Sequence, residues 1–244
     1  MESKIKISIV IPTYCEKDNI EILIPKIVEI FNQNKIQGEI IIVDDKSGDG
    51  TAEIVGEFSK IYKRTCKIKF IEREGKMGLG SAYIEGFKRA TGGIIFEMDG
   101  DLSHDPLYIP NFLKRIRECD LVIGSRYVMG GGINRWSFMR RLISRGANFI
   151  ANRLIGLDIK DATSGYRAYK RGIIDELNMQ EIKSNGYSFQ VEMVYLVKKM
   201  GFRVAEIPII FKDREVGKSK LGIKEVLRFF ITVMRLSFNR YFRF

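Results

Sequence analysis

The chain has 244 residues, 45% of them hydrophobic and 29% charged, which is the composition of a folded globular protein and excludes a disordered one. Its 41 lysine and arginine residues exceed the 30 acidic residues and give a net charge of +11. That excess favours a polyanionic partner, namely nucleic acid, an anionic membrane surface or a phosphorylated substrate. Three widely spaced cysteines argue against a disulfide framework and a zinc site. No uncharged run reaches the roughly 18 residues of a membrane span.

The first half of the chain alternates short apolar segments with amphipathic ones. We predict strands over residues 5–11, 39–43, 66–71, 92–96 and 120–124, with helices between them that include 18–34 and 107–118. This alternation with short connections predicts an α/β fold, with a mostly parallel sheet covered by helices on both faces. The glycines at 130–132 predict a flexible stretch, and a strongly basic helix follows it.

Two carboxylates follow the predicted strand 92–96, in the sequence Asp99-Gly100-Asp101. Alternate residues of an extended segment share a face, so both side chains can reach one hard cation. Ligands of open α/β sheets bind at the carboxyl ends of the strands, which is where this pair lies. The alternative is a solvated acidic turn before a helix.

Other charged residues suggest which kind of reaction such a cation would assist. Asp44 and Asp45 end a second strand, and Arg126, Arg140 and Lys220 supply positive charge. Carboxylates that bind a metal, with cations that neutralise phosphates, favour transfer from a nucleotide-linked donor. The chain contains neither the P-loop spacing nor a dinucleotide-binding glycine fingerprint, which weakens kinase and dehydrogenase interpretations.

The segment from residue 222 differs from the rest of the chain. One polar stripe recurs at helical spacing, and a wide apolar face covers the remainder; the stripe consists of Lys224, Arg228, Thr232, Arg235, Asn239 and Arg243. Two interpretations remain open. The helix either packs across the domain or against a partner helix, or lies in a membrane interface with its cations on lipid phosphates.

Eight motifs in a fixed order resemble the GT-A glycosyltransferases that make polyprenyl phosphate sugars. Five of them are 8–16 (SIVIPTYCE), 43–51 (VDDKSGDGT), 78–80 (GLG), 99–106 (DGDLSHDP) and 124–127 (GSRY). Within that family the dolichyl-phosphate mannosyltransferases share three more, at 144–149 (SRGANF), 186–193 (GYSFQVEM) and 217–222 (GKSKLG). The similarity extends from about residue 5 to residue 225.

The resemblance implies a GT-A (Rossmann-like) catalytic domain at residues 1–221 and an amphipathic interfacial tail helix at 222–244. It implies inverting transfer of mannose from GDP-mannose to dolichyl or another polyprenyl phosphate, with Mg²⁺ or Mn²⁺ as cofactor. By matching positions, the residues that hold the guanosine are Pro12, Tyr14, Glu16, Val43 and Asp45.

The diphosphate and its metal are implied to meet Asp99, Gly100 and Asp101, with the two aspartates as metal ligands. Some relatives carry glutamine at the position of Ser103, and that side chain can reach the metal. Because serine is shorter, we expect a bridging water at Ser103.

Several cations match family positions that contact donor or acceptor phosphates, namely Arg126, Arg214 and Lys220. The planar fork of arginine suits bidentate contact with phosphate, so we assign such contacts to the two arginines. A surface ion pair is the alternative for Arg126, and pairing with Asp213 or Glu215 is the alternative for Arg214.

The acceptor's chemistry bears on catalysis. A phosphate monoester has a second pKa of about 6, so it is largely dianionic at pH 7 and needs no general base. We therefore read His104 as a loop residue. The reaction must instead bring two anions together, and the expected catalytic residues are Asp101, Arg126, Arg140 and Ser144.

Two alternatives remain. One is a polyprenyl-phosphate glucosyltransferase that uses another nucleotide sugar, and the other is a non-catalytic basic protein that binds nucleic acid or membrane. Acidic clusters at strand ends disfavour nucleic acid. We expect peripheral binding at the cytoplasmic face of a membrane, directly or through a small anchoring subunit. That membrane would be the endoplasmic reticulum in a eukaryote or the plasma membrane in a prokaryote.

Overall fold

The structure is a computed structural model that describes residues 6–213 and 223–241. Its strands are β1 (Lys6–Thr13), β2 (Gln37–Asp44), β3 (Lys67–Glu72), β4 (Ile94–Glu97), β5 (Leu121–Ser125), β6 (Gly132–Ile133), β7 (Arg167–Lys170), β8 (Val204–Pro208) and β9 (Ile210–Phe211). Its α-helices are α1 (Lys17–Gln33), α2 (Thr51–Ile61), α3 (Leu79–Arg89), α4 (Ile109–Arg115), α5 (Phe138–Ile155), α6 (Arg171–Glu176), α7 (Tyr187–Lys199) and α8 (Ile223–Tyr241).

One mixed sheet organises the molecule. Seven strands lie in the order β3-β2-β1-β4-β7-β5-β8, and β7 alone among them runs antiparallel to its neighbours. The short strands β6 and β9 pair in parallel as a separate two-stranded sheet. The predicted α/β fold with a mostly parallel sheet is confirmed.

Alternating side chains of the strands build two cores, one on each face of the sheet. In β1, Ile9 and Ile11 belong to the core beneath α1, α2 and α4, whereas Val10 belongs to the opposite core. Helices α3, α5, α7 and α8 cover that opposite core. Strand β1 is therefore buried on both faces, which explains why its sequence contains a continuous apolar run and does not alternate strictly between apolar and polar residues.

Two predicted features differ in detail from the structure, and some strands were not predicted. The helix predicted over 107–118 is a 3₁₀ turn, Pro106–Tyr108, followed by α4, which ends at Arg115. Pro110 has no N–H to donate back along a helix, so the α-helical ladder cannot run through the first turn. The predicted flexible glycines include Gly132, which pairs with Ile210 in the two-stranded sheet. Strands β6, β7, β8 and β9 have no counterpart among the predicted strands.

Helix α8 contributes to the core of the domain. Its Phe229, Val233 and Leu236 are buried with residues of α5 and α7. Two members of the predicted polar stripe point inward: Thr232 lies beside Ser184, and Arg235 pairs with Glu192. The boundary between residues 221 and 222 stays a prediction, and the helix that follows it is packed into the same core as α7.

Close packing of the loop before β4 on β1 generates a stability prediction. A Cβ added at Gly92 would lie 2.6 Å from the main-chain carbon of Ile7, whereas one at Gly172 would meet nothing within 4 Å. We expect Gly92→Ala to lower the free energy of unfolding by about 1–3 kcal/mol, because the backbone of β1 must shift. Gly172→Ala, in helix α6, is the matched control and should be neutral or slightly stabilising. Urea denaturation measures both; equal stability of the two variants would contradict the close approach.

Candidate active site

A polar pocket of about 330 Å³ opens at the carboxyl ends of β1, β2 and β4. Because β1 lies between its two parallel partners, the loops that follow these three strands meet at one edge of the sheet. The pocket brings together most residues predicted to bind the donor: Pro12, Tyr14, Glu16, Asp45, Asp99, Gly100 and Asp101. Val43 does not line it, since its side chain is fully buried in the core.

Asp45 is held rigidly at one end of the polar pocket. It forms an ion pair with Arg73, whose Nε donates to Oδ1 at 2.5 Å, and the N–H of Gly78 donates to Oδ2 at 3.3 Å. At the same end Lys76 Nζ lies 4.0 Å from the centre of the Tyr14 ring. The neighbouring Asp44 instead accepts hydrogen bonds from Thr13 and Ser47 within the loop. Of the two consecutive aspartates, only Asp45 lines the pocket.

Asp99 is oriented by two aromatic residues. The Tyr83 hydroxyl donates to Asp99 Oδ1 at 2.9 Å, and the Asp99 main-chain N–H donates to His104 Nδ1 at 3.0 Å. A neutral His104 therefore carries its proton on Nε2, which lies 3.8 Å from Asp99 Oδ2. Burial raises the pKa of Tyr83 well above its usual value, so the phenol remains a donor to Asp99.

Asp101 is oriented by Ser103. Its Oδ1 accepts hydrogen bonds from the main-chain N–H of Ser103 at 3.1 Å and from the hydroxyl at 2.5 Å. Ser103 is only 1% exposed and does not line the polar pocket. The structure thus places Ser103 behind Asp101, as a residue that orients this carboxylate.

The chemistry of Asp99 and Asp101 fits a hard divalent cation. Both supply carboxylate oxygens to the pocket, and such oxygens suit Mg²⁺ and Mn²⁺. Within residues 6–213 and 223–241 no group of three or more histidine, cysteine, aspartate or glutamate side chains could hold a metal ion. Phosphate oxygens and water are further ligands that such a cation takes.

Glu97 lies at the end of β4, buried behind the site. The Tyr169 hydroxyl donates to its Oε1 at 2.9 Å. Burial raises the pKa of Glu97 to about 7, although the charge of buried Arg167 acts in the opposite direction. A partly protonated Glu97 adds less negative charge beside Asp99 than an ordinary carboxylate would.

An apolar cavity of about 300 Å³ adjoins the polar pocket between α5 and α8. Its walls include three of the predicted catalytic residues, Arg126, Arg140 and Ser144. The remaining walls are mostly apolar: Trp136, Ile143, Gly146, Ala147, Ile150, Val226, Phe229 and Phe230. Tyr187 and Glu225 line both the cavity and the polar pocket, so the two spaces meet at these side chains.

Arg126 is held in a buried ion pair at the edge of the apolar cavity. Its Nε and Nη2 donate to the two carboxylate oxygens of Asp161 at 2.7 and 2.6 Å, and Nη2 also donates to Thr163. Burial alone would lower the pKa of Arg126, but the charge and hydrogen bonds of Asp161 outweigh burial and raise it. The surface ion pair considered for Arg126 is therefore wrong, because both partners are buried.

Arg140 and Ser144 project from consecutive turns of α5. The Arg140 guanidinium lies 3.9 Å from the centre of the Trp136 ring, and its Nη1 donates to Asp213 at 2.9 Å. Its Nε is buried without a hydrogen-bond partner. Stacking on Trp136 holds this cation in the wall of the cavity. Arg214 and Lys220 lie outside the described residues.

Sequence reasoning missed the residues that position the site. Arg73, Tyr83 and Asp161 hold Asp45, Asp99 and Arg126, respectively, but none of the three belongs to a motif. Tyr83 falls in the apolar stripe of a helix, and Asp161 is 35 residues from its partner. Trp136 also positions the site, and as the single tryptophan of the chain it was the residue that sequence reasoning could most readily have singled out.

Comparison with known proteins identifies the family to which the chain is similar. Residues 8–177 match the family model described as glycosyl transferase family 2. The chain is 36% identical over 218 residues to the polyprenol monophosphomannose synthase of Mycolicibacterium smegmatis, covering 88% of this chain and 80% of that protein. It is 34% identical over 216 residues to the undecaprenyl-phosphate mannosyltransferase of Micrococcus luteus, covering 87% and 86%.

A solved structure shares the fold. The mannosyltransferase from Pyrobaculum calidifontis, in complex with GDP-Man and Mn²⁺, matches with a TM-score of 0.64 at 17% identity. The match covers 96% of this chain and 65% of that one. At this identity the likeness shows the fold alone.

The buried pair of Arg126 and Asp161 generates a prediction about stability. Arg126→Ala leaves a fully buried carboxylate without its countercharge, and we expect it to lower the free energy of unfolding by about 3–5 kcal/mol. The double variant Arg126→Ala with Asp161→Ala removes both charges and should be more stable than the single one. Chemical denaturation of the three proteins measures the difference. A single variant as stable as wild type would contradict the buried pair.

Proposed function

The chain belongs to glycosyl transferase family 2, and we propose that it transfers mannose from GDP-mannose to dolichyl or another polyprenyl phosphate. The products are a polyprenyl β-D-mannosyl phosphate and GDP. The fold is that of the GT-A glycosyltransferases, as the resemblance implied. Relatives that cover most of the chain act on polyprenyl phosphates by name, which supports the acceptor class.

One observation carries the proposal: a polar pocket and an apolar cavity meet at Tyr187 and Glu225. A nucleotide sugar needs polar contacts for its base, ribose and diphosphate. A polyprenyl chain needs an apolar groove, because its burial from water is favourable. The transferred sugar passes from donor to acceptor, so in the proposed arrangement it lies near the wall that the two spaces share.

We assign the polar pocket to the donor. The guanosine would lie against Tyr14, Glu16 and Asp45, and the diphosphate would reach Asp99 and Asp101. A divalent cation on these two aspartates, Mg²⁺ or Mn²⁺, would neutralise charge that develops on the departing diphosphate. Tyr83 and Ser103 keep the two carboxylates in place.

We assign the apolar cavity to the acceptor. Its phosphate would lie near Arg126, Arg140 and Ser144, and its prenyl chain would follow the apolar walls between α5 and α8. The cations offset the repulsion between the acceptor phosphate and the donor diphosphate. Asp161 and Trp136 hold the two guanidinium groups in position before substrate arrives.

The reaction follows from these assignments. An oxygen of the dianionic acceptor phosphate attacks the anomeric carbon, as the bond from that carbon to the β-phosphate oxygen of GDP breaks. GDP leaves with the electron pair. The acceptor carries no proton that must be removed, so the proposed mechanism needs no general base. Attack from the face opposite the leaving group converts an α-linked donor into a β-linked product.

Exposed apolar side chains support a peripheral place at the membrane, which we propose to be its cytoplasmic face. Both helices of the apolar cavity carry them: Phe138, Met139, Leu142 and Phe149 on α5, and Leu227, Phe230, Ile231, Met234 and Phe238 on α8. Throughout residues 6–213 and 223–241, no helix has the length and apolarity to cross a bilayer. Contact with the headgroup region through this apolar face, or through a small anchoring subunit, would bring the cavity to its lipid substrate.

A direct transfer assay tests the function. Purified protein is offered GDP-mannose or UDP-glucose, each with a polyprenyl phosphate in detergent and with Mg²⁺ or Mn²⁺, and lipid-linked sugar is extracted and counted. We expect product from GDP-mannose in the presence of either cation. Product from UDP-glucose alone would establish the glucosyltransferase alternative. Absence of product from both donors, with salt-dependent RNA binding, would favour the non-catalytic alternative.

The proposed metal site makes a separate prediction. Asp101→Asn keeps an oxygen that can accept from Ser103 but removes the negative charge. We expect the rate of transfer to fall by at least about 100-fold, and added cation should no longer raise the residual rate. Circular dichroism and thermal unfolding should match the wild-type protein. Activity that stays high and still requires the cation would reject Asp101 as a ligand.

The apolar face of α8 makes a prediction about membrane binding. Ile231 is 69% exposed, so Ile231→Glu should leave the fold intact and weaken flotation with anionic liposomes. Ile61→Glu is the control, because Ile61 is 66% exposed on α2, away from the apolar cavity. Deletion of α8 is unsuitable here, since Val233 and Leu236 belong to the core. Equal flotation of both variants would exclude this face as the contact.

A further inference from the structure

Two residues of α8 reach the polar pocket, although neither interpretation of this segment from the sequence gave it a part in the site. Glu225 and Arg228 both line the pocket that we assign to the donor. They lie on the first turns of the helix, while Phe229, Val233 and Leu236 bind the same helix to the core. The C-terminal helix is therefore part of the wall of the pocket.

Glu225 holds Arg228 in a defined place. Arg228 Nη1 donates to Glu225 Oε1 at 2.7 Å, and the other carboxylate oxygen, Oε2, is buried without a hydrogen-bond partner. That oxygen packs on Gly186, where an added Cβ would lie only 2.4 Å away. Gly186 precedes the first residue of α7, so the carboxylate lies at the positive end of that helix.

This arrangement contributes little if its only role is structural. An ion pair between residues three apart on a helix stabilises it by a few tenths of a kcal/mol, and Arg228 is largely exposed. The buried carboxylate oxygen without a hydrogen-bond partner opposes folding, which offsets its favourable place at the N-terminus of α7. The pair therefore adds little to stability, and because both of its residues line the pocket we look for its role there.

The charges of the pocket indicate which role. Its acidic lining is extensive: Glu16, Asp45, Asp99, Asp101 and Glu225. Among its described lining residues the cations are Lys76 and Arg228. Lys76 lies over the Tyr14 ring at the nucleoside end. Arg228 is the described cation on the α7 and α8 side, where an arginine fork suits phosphate oxygens.

We infer that Arg228 binds the diphosphate of the nucleotide donor and that Glu225 is a positioning residue for it. The inference rests on the proposed function, in that the pocket holds a nucleoside diphosphate sugar. It gives the C-terminal helix a donor-binding role in addition to its apolar face. Donor binding and lipid contact would then depend on one rigid helix.

Calorimetric titration tests the inference without catalysis. GDP, UDP and guanosine are titrated into wild-type protein and into Arg228→Ala, Arg228→Lys and Lys224→Ala, all with Mg²⁺ present. We expect Arg228→Ala to weaken binding of the preferred diphosphate about 5- to 20-fold and to leave guanosine binding unchanged. Arg228→Lys should recover part of the loss. Lys224 is exposed one turn before Arg228 and lines neither space, so Lys224→Ala controls for the change in net charge.

A double-mutant cycle tests Glu225. If Glu225 positions Arg228, then Arg228→Ala should weaken diphosphate binding by less than about twofold when Glu225→Ala is already present. Full additivity of the two substitutions would overturn the positioning role.

Other outcomes separate this inference from the proposed function. A dissociation constant for Arg228→Ala equal to that of Lys224→Ala, in a protein that transfers mannose, would overturn the inference alone. Equal losses for guanosine and diphosphate would also overturn it, because they indicate a structural effect. Preference for UDP, with a loss in Arg228→Ala, would reject GDP-mannose as the donor and support Arg228.

Discussion

Parallel pairing of β1 with β2 on one side and β4 on the other is the constraint on which the site depends. Parallel strands end at the same edge, so the chain must turn three times beside one opening. The residues that follow those strands, including Tyr14, Asp45 and Asp99, therefore line the same pocket. Close packing on both faces of the sheet keeps the strands in register, and a shift of one residue would turn each side chain to the opposite face.

The carboxylates at that edge repel one another, which destabilises the fold. Neighbouring side chains that the fold holds in place offset this repulsion. Arg73 neutralises Asp45, Tyr83 donates to Asp99, and burial raises the pKa of Glu97 so that it is only partly charged near neutral pH. Asp99 and Asp101 line the pocket beside these groups. Such a site favours a ligand that brings its own cation, as a nucleoside diphosphate with a bound divalent metal does.

Helix α8 joins the two halves of the proposed reaction. Phe229 contributes to both the core and the wall of the apolar cavity, Glu225 lines both spaces, and Ile231 faces outward. The sequence predicted one polar stripe and a wide apolar face; the interpretation that the helix packs across the domain is confirmed, and the membrane-interface interpretation stays a prediction. Arg235 turns inward to Glu192, and apolar side chains occupy both a buried and an exposed face.

The sequence by itself determined the α/β class, most strands, the family and the residues that follow β1, β2 and β4, because these depend on local periodicity and short motifs. Only the tertiary structure decided that β7 enters the sheet antiparallel, that Asp161 lies against Arg126, and that Arg228 reaches the polar pocket. Each of these joins residues far apart in the chain. Their contacts arise from how strands and helices pack, and a local pattern carries no information about a distant partner.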